Sequence, residues 1–309
     1  MTTLGKTVSG HRGGSPVPGL TLRAPAKVNL CLHVLGRRPD GYHELASLAV
    51  FAGVSDEIEL RPSDRWSIEV RGPFSRGVPA TDANLVVRAA RALATQLGVS
   101  DALAVVLTKN VPVAAGLGGG SSDAATTLRA LPALWGRAVD SDRLRSLGAA
   151  LGADIPFCLG DEVCVLGGAG DRLTPVLGWP ALSTVLVNAG KPLETRAVFS
   201  AWQAPGSGPL SRPPTDSAGI WRFMGAVRND LTAAAIGLDP TIAEVLAALD
   251  RTTGCRVARM SGSGGTCFAL YGSEGEAADA ANELKSVHSS WWVRATRLGA
   301  RAQVVRCDA

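Results

Sequence analysis

Apolar positions recur along this chain with two different periods, and the alternation between them marks out its elements. "LTLRAPAKVNLCLHVLG" (20–36) has the character of an extended, strand-rich start. "EIELR" (57–61) and "WSIEVR" (66–71) alternate and predict short strands. In "DANLVVRAARALATQLG" the period lengthens. Leu85, Ala89, Leu93 and Leu97 recur every fourth residue, which predicts a helix that Asp82 can cap and Gly98 ends. A strand over 103–112 leads into "VPVAAGLGGGSSDAATTL" (111–128). The tail of that stretch predicts a helix to about Leu131, with Ser121 or Ser122 as N-cap and Asp123 in the first turn, where the helix dipole favours an acid. A helical piece precedes "LGADIPFCLG" (151–160), and "EVCVLGGAGDRLTPV" (162–176) has the pattern of a hairpin.

The second half opens with a Pro/Gly/Ser-rich loop, "APGSGPLSRPPTDSAG" (204–219). Ile242, Val245, Leu246 and Leu249 then line one face of a helix begun by Asp239-Pro240. "CRVARM" and "TCFALYG" are expected strands on either side of "SGSGG" (261–265), Ser273 can cap a helix through about Val287, and "WWVRATRL" is a last strand. Helix–strand–strand–helix–strand predicts an antiparallel sheet with helices on one face, so the fold class is α+β. No internal repeat is present. We expect a flexible leader over 1–20 and two domains, 21–177 and 178–309.

Composition narrows the partners. A chain of 309 residues with 46% hydrophobic and 19% charged residues is an ordinary globular protein long enough for two domains. Its formal charge of +4 suits an anionic ligand, but the scattered Lys and Arg and the few aromatics give no nucleic-acid footprint. Six cysteines (Cys31, Cys158, Cys164, Cys255, Cys267, Cys307) form no CxxC pair and mostly sit in apolar runs, which predicts buried free thiols. No apolar run is long enough to span a bilayer, and the start lacks the apolar core of a signal peptide. No membrane partner is expected, and the expected compartment is the cytoplasm.

The chemistry centres on the glycine stretch. Four glycines around Leu117 stand between a strand and a helix, where backbone N–H groups and the helix dipole grip phosphate. Ser121 and Ser122 can add hydroxyl donors or support a metal ion. No Gly-Lys-Ser/Thr follows, so this is not a Walker A loop. A connector that happens to precede a capped helix is the alternative. "SGSGG" taken alone is a hairpin turn. Lys27 taken alone is a solvated lysine on an edge strand, Asp154 a turn or capping aspartate, Tyr42 and His43 loop surface, and Phe199 a core residue. Asn29, two residues beyond Lys27, faces the same side of a strand.

Three ordered motifs change these odds. "PAKVNLCLHVLGRRPDGYHEL", "PVAAGLGGGSSDAA" and "MSGSGGTCFALY" resemble those of the GHMP kinase superfamily. With "RPDGYHEL" and "LGADIPF", the chain from about residue 21 to its last strand is similar to the branch acting on a cytidine-diphosphate-linked methylerythritol. The resemblance implies a ribosomal-protein-S5-like N-terminal domain, a ferredoxin-like C-terminal domain and a site in the cleft between them. It implies transfer of the γ-phosphoryl of ATP, with magnesium, to a tertiary alcohol of that small-molecule substrate. Lys27 and Asp154 match the catalytic lysine and aspartate. Pro112, Ala115, Gly116, Leu117, Gly118, Gly119, Gly120, Ser121 and Ser122, with Asn84, match positions around ATP. Asn29, Tyr42, His43, Thr195, Phe199, Ser261, Gly262, Ser263 and Gly264 match positions around the substrate. Tyr42, His43 and Phe199 are implied at the cytosine.

Two segments depart from the family pattern. Gly265 stands where the third motif often has proline, and "KPLETR" (191–196) replaces a run often rich in proline and threonine. Other kinases of the superfamily (for mevalonate, homoserine or a sugar) stay open as alternatives, as does a non-catalytic nucleotide-binding module.

Overall fold

The computed structural model describes residues 19–203 and 205–299. The expected leader before residue 19 and Cys307 lie outside these residues. Six strands and four helices come first. They are β1 (Leu20–Arg37), β2 (His43–Ser63), β3 (Ser67–Arg71), α1 (Leu85–Leu97), β4 (Ala102–Thr108), α2 (Gly119–Leu134), α3 (Ser141–Leu151), α4 (Ile155–Cys158), β5 (Cys164–Gly168) and β6 (Arg172–Pro175). Then follow β7 (Leu182–Asn188), α5 (Thr195–Ala201), α6 (Ser217–Ala226), α7 (Thr232–Leu238), α8 (Thr241–Arg251), β8 (Val257–Met260), β9 (Thr266–Tyr271), α9 (Glu274–Val287) and β10 (Trp292–Leu298).

The class is α+β, with a mostly antiparallel sheet as the pattern required. β2 is the hub: β1, β4 and β5 all pair with it, and β3 joins β4 in parallel. The second group runs β10-β7-β9-β8, entirely antiparallel. One residue pair, Leu298 with Ala52, links the two groups. α1 and α2 cover the first sheet over a core that includes Leu22, Phe51, Leu93, Leu128 and Phe157. The second sheet buries Val185, Val187, Ile242, Leu249 and Tyr271 with α7, α8 and α9. A third cluster fills the junction, where Ile220, Phe223 and Met224 of α6 meet Val28, Val50, Leu186 and Phe268. Cys31, Cys158, Cys164 and Cys267 are buried free thiols, and Cys255 is half-buried and free.

Several local expectations differ from the structure. The short strand expected at 57–61 is the end of the 21-residue β2. Residues 46–52 of β2 are buried, enclosed on both faces, which removes the alternation that would have shown a strand. Asn84, not Asp82, caps α1: its Oδ1 accepts from Val86 N at 3.0 Å, whereas Asp82 pairs with Arg91 at 2.9 Å. Gly98 ends α1 in the left-handed conformation, as expected. Neither serine caps α2. That helix already begins at Gly119, its cap is Gly118, and Ser121 and Ser122 lie inside it. Asp123 therefore falls beyond the first turn and is drawn beneath the helix toward Lys109.

Candidate active site

Between β4 and α2 the chain crosses a cavity of about 1230 Å³ lined by the first sheet, the glycine loop, α5 and the 261–265 loop. Two glycines fix its path. Gly116 has φ +72°, and a Cβ there would collide with the Ser261 carbonyl and lie 2.9 Å from Gly264 O. Gly118 has φ +61°, and its missing side chain leaves room for Lys27, whose Cε would lie 3.2 Å away. Absent side chains thus let one glycine loop press on the other and lie over a lysine. Backbone bonds hold this packing: Lys27 N donates to Leu117 O at 2.8 Å, Thr266 N to Ala115 O at 3.1 Å, and Leu193 N to Ala114 O at 3.1 Å. Ser261 Oγ accepts from Asn29 N at 3.1 Å and donates to Gly116 O at 3.0 Å.

Lys27 is 5% exposed, which rules out a solvated lysine. Its Nζ donates to Asn29 Oδ1 at 2.9 Å and lies 3.2 Å from Asp154 Oδ2. Asn29 Nδ2 donates to Ser47 Oγ at 2.7 Å, and that hydroxyl donates to Cys31 O at 2.6 Å. Lysine and asparagine share one face of β1, as the two-residue spacing requires. Asp154 stands at the start of the four-residue α4 but makes no capping bond. Its carboxylate is partly exposed and turned to Lys27 and the cavity.

A buried charge cluster supports the glycine loop from below. Lys109 Nζ donates to Asp123 Oδ2 at 2.6 Å and also to Asp56 Oδ2, and all three side chains are buried. Asp56 Oδ1 accepts from Asn110 N at 2.6 Å and Val111 N at 2.9 Å. Burial pushes the Lys109 ammonium toward its neutral form, but the two carboxylates outweigh it and raise its pKa. Burial pushes the Asp123 carboxyl up; Lys109 pulls it back and Asp56 repels it, leaving it at about 7. A Cβ on Gly119 would lie 3.4 Å from both Asp56 Oδ2 and Lys109 Nζ, whereas one on Gly120 would meet nothing within 4 Å.

At the other end of the cavity, His43 stacks on Phe199 with centroids 5.1 Å apart, and Trp202 meets it edge-on at 5.5 Å. Burial, and secondarily the charge of Arg37, holds the imidazole below the usual histidine range. Tyr42 is 65% exposed at the rim. Thr195 Oγ1 and Ser263 Oγ lie 2.8 Å apart, joining α5 to the 261–265 loop.

Of the residues singled out from sequence, Lys27, Asn29, Tyr42, His43, Asn84, Pro112, Ala115, Gly116, Leu117, Gly118, Gly119, Gly120, Ser121, Asp154, Thr195, Phe199, Gly262 and Ser263 line this cavity. Ser122, Ser261 and Gly264 do not; Ser122 and Ser261 are buried behind it. Lys109, Asp56, Ser47 and Trp202 also stand at the site and carry no motif in the sequence that marked them. Asn229 is likewise unmarked, and it donates to Met260 O and Gly262 O at 2.8 Å each. Lys109 directly precedes the glycine stretch and could have been suspected; Asp56 carries no local signal.

Residues 84–162 match the family model described as GHMP kinases N terminal domain, and residues 221–289 match GHMP kinases C terminal. The chain is 46% identical over 280 residues to the 4-diphosphocytidyl-2-C-methyl-D-erythritol kinase of Paramagnetospirillum magneticum, covering 90% of this chain and 98% of that protein. It belongs to that kinase family. The Gluconacetobacter diazotrophicus kinase of the same name is 47% identical over 283 residues, 87% of this chain and 92% of that one. A solved 4-(cytidine 5'-diphospho)-2C-methyl-D-erythritol kinase superposes with a TM-score of 0.77 at 34% identity, covering 91% of this chain and 100% of that one. A homoserine kinase from Cytophaga hutchinsonii, with a TM-score of 0.71 at 19% identity over 97% of this chain and 98% of that one, shares the fold. The chain is therefore an ATP-dependent small-molecule kinase with the two GHMP domains. Among the described residues no helix is long and apolar enough to cross a membrane.

Proposed function

We propose that this chain transfers the γ-phosphoryl group of ATP to the tertiary 2-hydroxyl of 4-diphosphocytidyl-2-C-methyl-D-erythritol, giving the 2-phosphate and ADP. The observation that carries this reading is the Lys27–Asp154 pair, set at 3.2 Å where the glycine loop meets the rest of the cavity. Phosphoryl transfer asks the protein mainly for alignment and charge stabilisation. Asp154 accepts the hydroxyl proton on its carboxylate as the phosphoryl group arrives. Lys27 holds that carboxylate in register and offsets negative charge on the moving oxygens, and Asn29 fixes the ammonium. The 116–120 backbone and the start of α2 hold the triphosphate. Tyr42, His43 and Phe199 take the cytosine, and Asn84 lies beside the adenosine end.

Magnesium suits these residues as an ion that keeps most of its shell on phosphate and water. Among the described residues no three His, Cys, Asp or Glu side chains converge on a metal site. Asp123, which lines the cavity and whose Oδ1 has no hydrogen-bond partner, is the side chain that would hold it. When bound it would neutralise phosphate charge. The same reading divides the chain near residue 178 and puts the protein in the cytoplasm. Incubation with ATP and a panel of alcohols tests it: ADP release is expected with the cytidine-diphosphate-linked methylerythritol and not with mevalonate, homoserine or galactose. Equal or faster turnover of any of those three would overturn the substrate assignment.

A further inference from the structure

Four cationic side chains line the cavity: Lys27, Arg37, Lys109 and Arg196. Lys27 is bound to Asp154 and Asn29, and Lys109 to Asp56 and Asp123. Among the described residues, Arg37 and Arg196 make neither an ion pair nor a side-chain hydrogen bond, so theirs are the cationic heads free to meet an anion. Their places differ. Arg37 is the register partner of His43 across β1 and β2, at the aromatic end. Arg196 is in the first turn of α5, three residues before Phe199, so the two share a helix face. That face looks into the cavity, since Phe199 stacks on His43 there.

α5 is also anchored at its start. Thr195 is joined to Ser263, and Leu193 N is bonded to Ala114 O at the entrance to the glycine loop. Arg196 thereby follows directly on residues tied to the two glycine loops and lies about 4.5 Å along the helix axis from Phe199. We propose that Arg196 is a specificity-determining residue that grips the diphosphate of a nucleoside-diphosphate-linked alcohol, in the span between the His43–Phe199 and Lys27–Asp154 pairs. This rests on the substrate reading above and adds the group that recognises the linkage. A guanidinium presents its donors as a planar fork that matches two phosphate oxygens at once, which a lysine does not.

The test titrates the full chain with cytidine 5'-diphosphate and with cytidine, the glycine loop being saturated with a non-hydrolysable ATP analogue. Wild-type protein is expected to bind the diphosphate more tightly than the nucleoside. Arg196→Met should lose about tenfold or more in diphosphate affinity, the scale of a charge-assisted hydrogen bond, with cytidine affinity unchanged. Arg196→Lys should restore only part of it, and the KM of the phosphorylatable substrate should rise in Arg196→Met while that of ATP stays constant. Diphosphate affinity within twofold of wild type in Arg196→Met overturns the inference. So does equal weakening of both ligands, which would mean Arg196 acts by packing α5, and so does a loss confined to Arg37→Met. A wild-type chain that binds neither ligand overturns the substrate reading itself, and this inference with it.

Discussion

Replacing Lys109 by methionine tests whether the buried cluster braces the glycine loop. Methionine keeps the unbranched apolar stem and removes the charge that faces both Asp56 and Asp123. Breaking a buried ion pair from one side costs about 3–5 kcal/mol, because the abandoned charge stays desolvated. Asp56 is partly protected, since Asn110 N and Val111 N still donate to it. Asp123 is not: its Oδ1 already lacks a partner, and Lys109 is what holds its carboxyl down to about 7 against burial. In the variant that carboxyl is pushed further above its ordinary range and is neutral at pH 6, so the deficit there lies at the low end. A carboxyl whose folded pKa is raised contributes stability below its unfolded pKa and loses it as pH rises through the folded one. In the wild type that loss ends near pH 7, whereas in the variant it continues upward. The deficit should therefore be about 3 kcal/mol at pH 6 and larger at pH 9. Urea unfolding at both pH values measures it, with melting expected roughly 6 °C or more below wild type. A variant within 1 kcal/mol of wild type at both pH values, or a deficit that shrinks with rising pH, would refute the reasoning.

Three further outcomes are expected. Asp154→Asn should fold normally, because Asp154 makes no capping bond, yet lose about 10²–10⁴ in kcat with little change in the KM for ATP; a stable variant with near wild-type single-turnover transfer would remove Asp154 as the base. Gly116→Ala should destabilise by about 1–3 kcal/mol in thermal unfolding, because the left-handed backbone and the Ser261 carbonyl oppose a Cβ, while Gly120→Ala, facing open space, stays near neutral and serves as the control. Arg37→Met should move the His43 titration midpoint upward in NMR, because the arginine's charge is one of the influences holding it low; burial, the larger one, remains and keeps the midpoint below the ordinary value. An unmoved midpoint would separate Arg37 from the imidazole.

The elements that could be read from sequence are those whose environment is one-sided. α1, α8 and α9 each bury one stripe, so their period shows, and the 261–265 turn is marked by its own glycines. Residues 46–52 of β2 do not show, because that part of the strand, flanked by β1 and β5, is buried on both faces and loses its alternation. The site divides in the same way. The glycine loop is one contiguous run, and Lys27 and Asn29 stand two positions apart in a motif of their own. Lys27 and Asp154 are 127 positions apart in the chain, and no local pattern tells either side chain that the other is near. The resemblance to a family suggested that pair, and the geometry gives it a physical cause: β1 carries the lysine beneath a loop that only glycine at 118 allows to close over it. The same closure explains why the glycines are so dense. Gly116 makes room for the 261–264 backbone and Gly118 for Lys27, whereas a Cβ on Gly119 would make ordinary contacts with the Lys109 cluster at 3.4 Å and one on Gly120 would face open space. Two of the four glycines are therefore required by protein packed against protein, and the proposed phosphate site is what that packing leaves exposed at the start of α2.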